Sequence, residues 1–254
     1  MTTTADKRAT FRALHETGCF VIPNPWDVGS AVALQSLGFK AVASTSAGMG
    51  WAMGRADGAV TRDEVLAHLA ALAAATAIPL NADFEGGFAD DPDAVAANVA
   101  LCAETGVAGL SIEDSTGDAA AHAALAGKGV LLTARSEGFI RGRPDLEETV
   151  RRLTAFSEAG ADVLYAPGLS TEIEIATVIR AVAPKPVNVL APGLSVATLA
   201  DLGARRISVG ASLARTAWGE FLRAAREIAT TGEFGAFERG TKGGDLNALF
   251  AGWS

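Results

Sequence analysis

Cysteine and surplus positive charge are both scarce in this sequence. Two cysteines, Cys19 and Cys102, are too few for a disulfide framework or a zinc cluster, so we expect reduced thiols in a cytoplasmic protein. The net charge of −8 argues against nucleic acid and anionic membrane surfaces, because both reward clustered Lys and Arg. No apolar run approaches the roughly 18 residues of a membrane-spanning helix. No apolar segment follows the basic N-terminal residues, as a secretory signal would require.

The sequence does contain a repeating order of short apolar run, turn and helical pattern. Continuous apolar runs, typical of parallel strands buried on both faces, predict eight strands at Cys19–Pro23, Ala41–Ser46, Pro79–Phe84, Gly109–Glu113, Val130–Arg135, Asp162–Ala166, Pro186–Leu190 and Arg206–Val209. Amphipathic stretches predict helices at Val28–Leu37, Arg62–Ala75, Asp93–Thr105, Asp145–Ala159, Thr171–Val182, Val196–Leu202 and Ala211 to about Thr230. A glycine suited to a left-handed C-cap follows four of them, at Gly38, Gly106, Gly160 and Gly203.

Eight strands alternating with helices favour a closed (β/α)8 TIM-type barrel, for which about 250 residues is typical. The competing fold is an open doubly wound sheet, but no G-x-G-x-x-G follows any predicted strand. We therefore expect one domain over residues 1–254, with the barrel at about 19–230 and a C-terminal extension at 231–254. The apolar side chains of that extension are expected to pack against another surface. A second copy of the chain would supply that surface, so we expect a homo-oligomer.

Acidic side chains follow the third and fourth predicted strands, at the end where a barrel carries its active site. Asp83 and Glu85 are two residues apart, so on an extended strand both point the same way, and Glu113 ends the adjacent strand. Converging carboxylates repel one another unless a cation neutralises them, and oxygen ligands without His or Cys select a hard ion such as Mg²⁺. The alternative, that these acids cap helices or pair with surface cations, is weaker for three acids beside Arg135 than for one.

Other strand ends offer groups suited to an anionic substrate. Arg135 follows an apolar run, and a guanidinium at the barrel mouth suits bidentate binding of a carboxylate or phosphonate. The turn Ser46-Ala47-Gly48 supplies backbone N–H groups and a hydroxyl for an oxyanion. Tyr165, the one tyrosine, ends the sixth predicted strand and is as well placed to line a pocket as to pack in the core.

Several short motifs occur in one order along the chain: Pro23 to Asp27, Ser46-Ala47-Gly48, Gly54 to Asp57 ahead of Thr61 to Glu64, Asp83 to Phe88, and Ile112-Glu113-Asp114. In this order they resemble motifs of the isocitrate lyase/phosphoenolpyruvate mutase superfamily, from Pro23 to about Trp218. The resemblance implies an α/β barrel, often a tetramer, with Mg²⁺ at Asp83, Glu85 and Glu113. It also implies substrate contacts from Ser46-Ala47-Gly48, Arg135 and Asn188, with Asp57 near the reacting group.

The sequence departs from that superfamily after the fourth predicted strand. Its lyases carry a K-[KR]-C-G-H loop there, whose Cys serves as acid/base, whereas residues 115–125 read STGDAAAHAAL. The E-D-K-x-x-P-K segment of the mutases is absent too. His122 is the one group in this stretch that titrates near neutrality, so it is either the proton carrier or a solvent-facing helix residue.

The resemblance implies a Mg²⁺-dependent lyase-type enzyme that cleaves a C–C or P–C bond of a small 2-oxo or 2-hydroxy acid through an enolate. The alternative is a non-catalytic, ligand-binding barrel that has lost its reactive loop. A Schiff-base aldolase needs a lysine at a strand end, but Lys40, Lys128 and Lys185 precede strands and fall at the opposite end of the barrel.

Overall fold

A computed structural model describes residues 2–114, 125–191 and 193–252, and its strands form one parallel sheet. The strands are β1 (Phe20–Ile22), β2 (Val42–Ala43), β3 (Leu80–Asp83), β4 (Gly109–Glu113), β5 (Leu131–Arg135), β6 (Val163–Tyr165), β7 (Val187–Leu190) and β8 (Arg206–Ser208). Their order is β1-β8-β7-β6-β5-β4-β3-β2. A hydrogen bond from the Ala43 N–H to the Pro23 carbonyl (3.0 Å) links β2 to the residue after β1. The sheet is thus a nearly closed barrel, and the predicted TIM-type fold is confirmed.

Ten α-helices lie in the described part of the chain. They are α1 (Thr4–Leu14), α2 (Val28–Ser36), α3 (Ser46–Ala52), α4 (Arg62–Ala75), α5 (Pro92–Glu104), α6 (Leu146–Glu158), α7 (Glu172–Ala181), α8 (Val196–Asp201), α9 (Ser212–Thr231) and α10 (Gly243–Ala251). The seven predicted helices are confirmed to within one residue at each end. The four C-cap glycines have φ angles from +87° to +104°, the left-handed conformation that was expected of them.

Helix α3 corrects the predicted second strand, which was expected to run to Ser46. The strand ends at Ala43, because the Thr45 side chain caps the helix by accepting a hydrogen bond from the Gly48 N–H. A seven-residue helix with two glycines has low intrinsic propensity, so its packing against the barrel rather than its local sequence decides its conformation.

Helix α1, which the sequence patterns did not predict, lies against the N-terminal end of the barrel. Its fully buried Phe11 belongs to an apolar cluster with Ile22 and Leu131. The Arg8 guanidinium donates to the carbonyls of Ala103, Val107 and Lys128, and the buried Lys7 ammonium donates to the carbonyls of Ala73 and Thr76. These contacts fix α1 across the end of the barrel that lies away from the strand C-termini.

Alternate residues of the strands face the barrel interior, and above the apolar cluster that interior is polar. Leu110 and Ile112 of β4 pack outward in the larger apolar core, whereas Ser111 between them faces inward. The buried inward-facing polar side chains include Asn81, Ser111, Thr133, Asn188, Arg206 and Ser208. Branched apolar residues dominate the interiors of most such barrels, so a polar interior indicates a site that extends below the mouth.

After α9 the chain forms a 3-10 helix (Gly235–Arg239) and then α10, which packs against α2. Phe234 and Phe237 are 59% and 60% exposed, so the proposed cover by a second subunit stays a prediction. That residues 1–254 form one domain also stays a prediction.

The two cysteines are free, Cys102 buried and Cys19 half-buried, as expected. None of the described helices is long and apolar enough to cross a membrane.

Candidate active site

All eight strands contribute side chains to a cavity of about 380 Å³ at the C-terminal end of the barrel. Most of the predicted site residues line it: Ser46, Ala47, Asp57, Asp83, Glu113, Arg135, Tyr165 and Asn188. Glu85 and Gly48 do not belong to the described lining. His122 lies outside the described residues, so its predicted role stays a prediction.

The Arg135 guanidinium lies among carboxylates. Its Nη1 is 2.9 Å from an Asp83 oxygen, its Nη2 is 3.3 Å from a Glu113 oxygen, and its Nε donates to Glu137 at 2.9 Å. Although burial opposes the charged form, the carboxylates, Asp83 foremost, raise the pKa of Arg135. Arg135, which the sequence analysis proposed as a ligand of a substrate anion, is thus paired with the acids of the mouth in this structure.

Asp83 ties β3 to the start of α3. Its backbone N–H donates to the Ser44 hydroxyl (2.8 Å), and its Oδ2 accepts a hydrogen bond from the Ser46 N–H (2.9 Å). One N–H of the predicted oxyanion turn is thus bound to a carboxylate. Gly48, the last residue of that turn, is closely packed: a Cβ there would come within 2.7 Å of Thr45 and 2.9 Å of Trp26. Its contribution is close packing rather than a place in the cavity lining.

Glu85 does not follow Asp83 on an extended strand, so the argument that both point the same way is wrong. β3 ends at Asp83, and Glu85 has a φ of +48°, which belongs to the left-handed region. The two acids nevertheless interact: burial, followed by the charges of Asp83, Asp57 and Glu113, raises the pKa of Glu85 to about 7. Within the described residues, its buried Oε1 has no hydrogen-bond partner.

Glu137 is a site residue that the sequence argument missed. It is 2% exposed, and burial raises its pKa to about 7 although Arg135 opposes that shift. Its Oε2 has no hydrogen-bond partner in the described structure. Its position directly after the C-terminal end of β5, two residues after Arg135, is the sequence signal that identifies it.

Arg141 was also missed, and it lies at the rim of the cavity. It is largely exposed, and its Nη2 donates to the second Glu113 oxygen at 3.2 Å. Asp57 is exposed at the same mouth, on the loop between α3 and α4. The nearby T-x-x-E motif serves the backbone instead, because Thr61 and Glu64 form the capping box of α4.

Tyr165 and Asn188 lie deeper, as part of the polar interior. The Arg135 Cζ is 5.2 Å from the centre of the Tyr165 ring, which is within cation–π range. The Asn188 Oδ1 accepts from the Arg206 Nε at 2.8 Å, and its Nδ2 donates to the Ser208 hydroxyl at 3.0 Å. Asn188 thus fixes a second guanidinium, that of Arg206. The sequence analysis missed Arg206 because it considered only the C-terminal ends of the strands, and Arg206 begins β8.

The donor set at the mouth fits a hard cation. No three His, Cys, Asp or Glu side chains of the described residues are arranged to hold a metal ion directly. Yet four carboxylates line the cavity against three guanidiniums, and Glu85 adds a fifth carboxylate that interacts with Asp83, Asp57 and Glu113. One buried oxygen of Glu85 has no hydrogen-bond partner among the described residues. Oxygen ligands and retained waters are what Mg²⁺ prefers, so a partly water-mediated site is compatible with this geometry.

The chain matches the family described as phosphoenolpyruvate phosphomutase over residues 11–229. The uncharacterized protein Rv1998c of Mycobacterium tuberculosis (strain ATCC 25618 / H37Rv) is 36% identical over 215 residues, 79% of this chain and 81% of its own. A crystal structure from Burkholderia cenocepacia J2315, of a protein proposed to be a lyase/mutase, is 46% identical with a TM-score of 0.94, covering 98% and 97%. That of 2,3-dimethylmalate lyase is 25% identical with a TM-score of 0.83, covering 98% and 95%. The chain belongs to the phosphoenolpyruvate phosphomutase family, within the isocitrate lyase/phosphoenolpyruvate mutase superfamily.

Proposed function

We propose that this chain is a Mg²⁺-dependent lyase that cleaves a C–C bond of a small 2-oxo or 2-hydroxy acid; a phosphonate with a P–C bond is the near alternative. The coarse class is that of its superfamily, whose lyases and mutases act on small acids. The observation that carries the finer proposal is the cluster in which Asp83, Glu113 and Glu137 surround Arg135 at the cavity.

The charge of that cluster supports a metal requirement. With all groups ionised, Asp57, Asp83, Glu85, Glu113 and Glu137 carry five negative charges, and the three arginines that line the cavity carry three positive ones. The excess, which reaches two negative charges once Glu85 and Glu137 ionise above about pH 7, opposes the binding of an anionic substrate at the mouth. Mg²⁺ held by Asp83, Glu85 and Glu113 would supply the missing charge and would stabilise an enolate oxygen as the bond breaks.

The remaining groups of the chain would bind the substrate and move protons. Arg135 is fixed by its three carboxylates and by Tyr165, so its orientation is set before the substrate arrives. Ser46 and Ala47 would form the wall of the substrate site on the side of α3. Glu137 and His122 are the candidates for carrying the proton, Glu137 because burial raises its pKa to about 7.

Turnover of a panel of acids tests the proposal. Oxaloacetate, alkyl-substituted malates and phosphonopyruvate would be offered in Mg²⁺ and in EDTA, and oxalate, pyruvate and phosphate would be measured. We expect products of C–C cleavage from one of the first two classes, lost in EDTA and restored by Mg²⁺. Phosphate from phosphonopyruvate would establish the P–C alternative. Turnover that is unchanged in EDTA would refute the metal requirement, and binding of these acids without turnover would favour the non-catalytic barrel.

A further inference from the structure

The floor of the cavity contains a guanidinium that has no acidic partner among the described residues. Arg206, the first residue of β8, is 3% exposed and lines the cavity from below together with Asn188 and Ser208. Its contacts are all neutral: Nε donates to the Asn188 Oδ1 (2.8 Å), Nη2 donates to the Thr133 hydroxyl (3.1 Å), and Nη1 lies 3.4 Å from the His15 Nε2. Among the described residues it forms no ion pair.

Burying a guanidinium without a carboxylate raises the free energy of the folded state, because the group loses its hydration. Only an opposite charge in good geometry offsets that loss. Burial lowers the pKa of Arg206 to about 10, so the group is still a cation at neutral pH. Buried arginines are as a rule paired with a carboxylate or a phosphate. The missing negative charge is therefore the feature to explain.

The neutral partners orient the guanidinium without neutralising it. Asn188 is itself held by Ser208, which leaves its Oδ1 directed at Arg206. His15 comes from α1 beneath the barrel. Burial, with a further contribution from the Arg206 charge, lowers its pKa to about 3, so it faces Arg206 as a neutral acceptor. Three of the five N–H groups of the guanidinium are engaged in these contacts, and the other two have no partner in the part of the chain that the structure describes. These two are the ones that can bind a ligand.

The two buried guanidiniums of the cavity, Arg135 at the mouth and Arg206 at the floor, differ in what surrounds them. Arg135 contacts Asp83, Glu113 and Glu137, and these acids more than cancel its charge. Arg206 contacts side chains that carry no charge. Arg135 and Arg206 are the two buried arginines of the cavity. Only the charge of Arg206, at the floor, is not neutralised by a carboxylate among the described residues. A small anion that passes the mouth gains most by reaching it.

We propose that Arg206, held by Asn188 and flanked by Ser208, binds a carboxylate group of the substrate at the floor of the barrel. The substrate class rests on the proposed function: a small dicarboxylic acid would place one carboxylate on Arg206 and the reacting end at the mouth. Arg206 is then the residue that selects a second acidic group, whereas Arg135 contacts the reacting end of the substrate at the mouth.

Oxalate binding measured by calorimetry, once in Mg²⁺ and once in EDTA, tests this site without any turnover. We expect Arg206→Met to weaken oxalate binding by more than 10-fold, and Arg206→Lys, which keeps the charge but loses the planar fork, to weaken it by about 10-fold. Arg205→Met is the matched control, since Arg205 lies one residue earlier, partly exposed, and donates to the Gly18 carbonyl. It should bind within twofold of the wild type.

Oxalate affinity that is unchanged in folded Arg206→Met, or a wild type that binds no oxalate, overturns the inference. Should both Arg206 variants fail to fold, wild-type crystals soaked in bromide decide it by anomalous scattering. We expect a peak within hydrogen-bond reach of Arg206, whereas a peak at Arg135 alone contradicts the proposal. Because none of these readouts involves catalysis, a protein that binds oxalate through Arg206 but cleaves no acid would refute the proposed function and leave this site standing.

Discussion

The two ends of the barrel both bury cationic side chains, but they surround them differently. At the N-terminal end, Lys7 and Arg8 of α1 donate to backbone carbonyls. At the C-terminal end, Arg135 lies among three carboxylates, and two of the nearby acids, Glu85 and Glu137, have pKa values raised to about 7. The first arrangement completes backbone hydrogen bonding and stabilises the fold. The second leaves excess negative charge, which is typical of a functional site.

The largest expected effect follows from removing one acid at the mouth. We predict that Asp83→Ala lowers Mg²⁺-dependent turnover by on the order of 10²- to 10³-fold, the scale of losing one preorganised electrostatic group. The protein should stay folded, since the core that supports β3 lies on the other face of the strand. Steady-state kinetics and circular dichroism check this.

The exposed Asp90→Ala, in the loop that follows β3, is the control and should retain wild-type turnover. If Asp83→Ala is folded and as active as the wild type, the acids of the mouth are not part of the machinery, and the contrast between the two ends disappears.

The next effect concerns pH. Glu137 has its pKa raised from 4.5 to about 7 by burial, so the folded state binds its proton more tightly than the unfolded state. Its contribution to stability is fully present below pH 4.5 and is lost as the pH rises through about 7. The loss amounts to about 3 kcal/mol at most. Glu137→Gln should therefore flatten the decline of the unfolding free energy between these pH values, measured by urea unfolding in EDTA.

Glu147→Gln, on the exposed first turn of α6, should leave that decline unchanged. A wild type whose stability is level across this range would show that Glu137 is not strained by its surroundings, and the mouth would then resemble the other end of the barrel.

The smallest effect is expected at the N-terminal end. Arg8→Ala removes a charged donor from three carbonyls, so we predict a loss of about 2 kcal/mol in unfolding free energy. Turnover and oxalate binding of the folded variant should match the wild type. Arg12→Ala removes a half-exposed arginine whose ion pair with Asp162 spans 3.6 Å, and it should cost under about 1 kcal/mol. Reduced turnover in folded Arg8→Ala would mean that this end takes part in the chemistry.

Much of the fold could be predicted because its signals are local. Apolar runs of strand length and helical periodicity located the eight strands and seven of the helices, and the rule that strand C-termini face the active site placed Asp83, Glu113 and Arg135 at one cavity. Helix α1 was not predicted because it has only two large apolar residues, Phe11 and Leu14, and Lys7 and Arg8 supply much of its attachment to the barrel.

The details of the site depended on features that no local pattern carries. The direction of Glu85 follows from a left-handed backbone conformation at a residue that is not glycine. The pairing of Arg135 with its acids depends on distances between neighbouring strands. Arg206 was overlooked because it begins a strand, and its long side chain reaches the cavity from below. Side-chain length and cross-strand geometry, rather than periodicity, decide such cases.

The central claim is that the excess carboxylates of the mouth hold a divalent cation. Crystals grown with saturating Mn²⁺, a substitute for Mg²⁺ that scatters anomalously, and with oxalate would test it most directly. We predict one anomalous peak beside Asp83, Glu85 and Glu113, with Arg135 shifted from at least one of its acidic partners. Unaltered ion pairs between Arg135 and those acids, with no peak at the mouth, would contradict it.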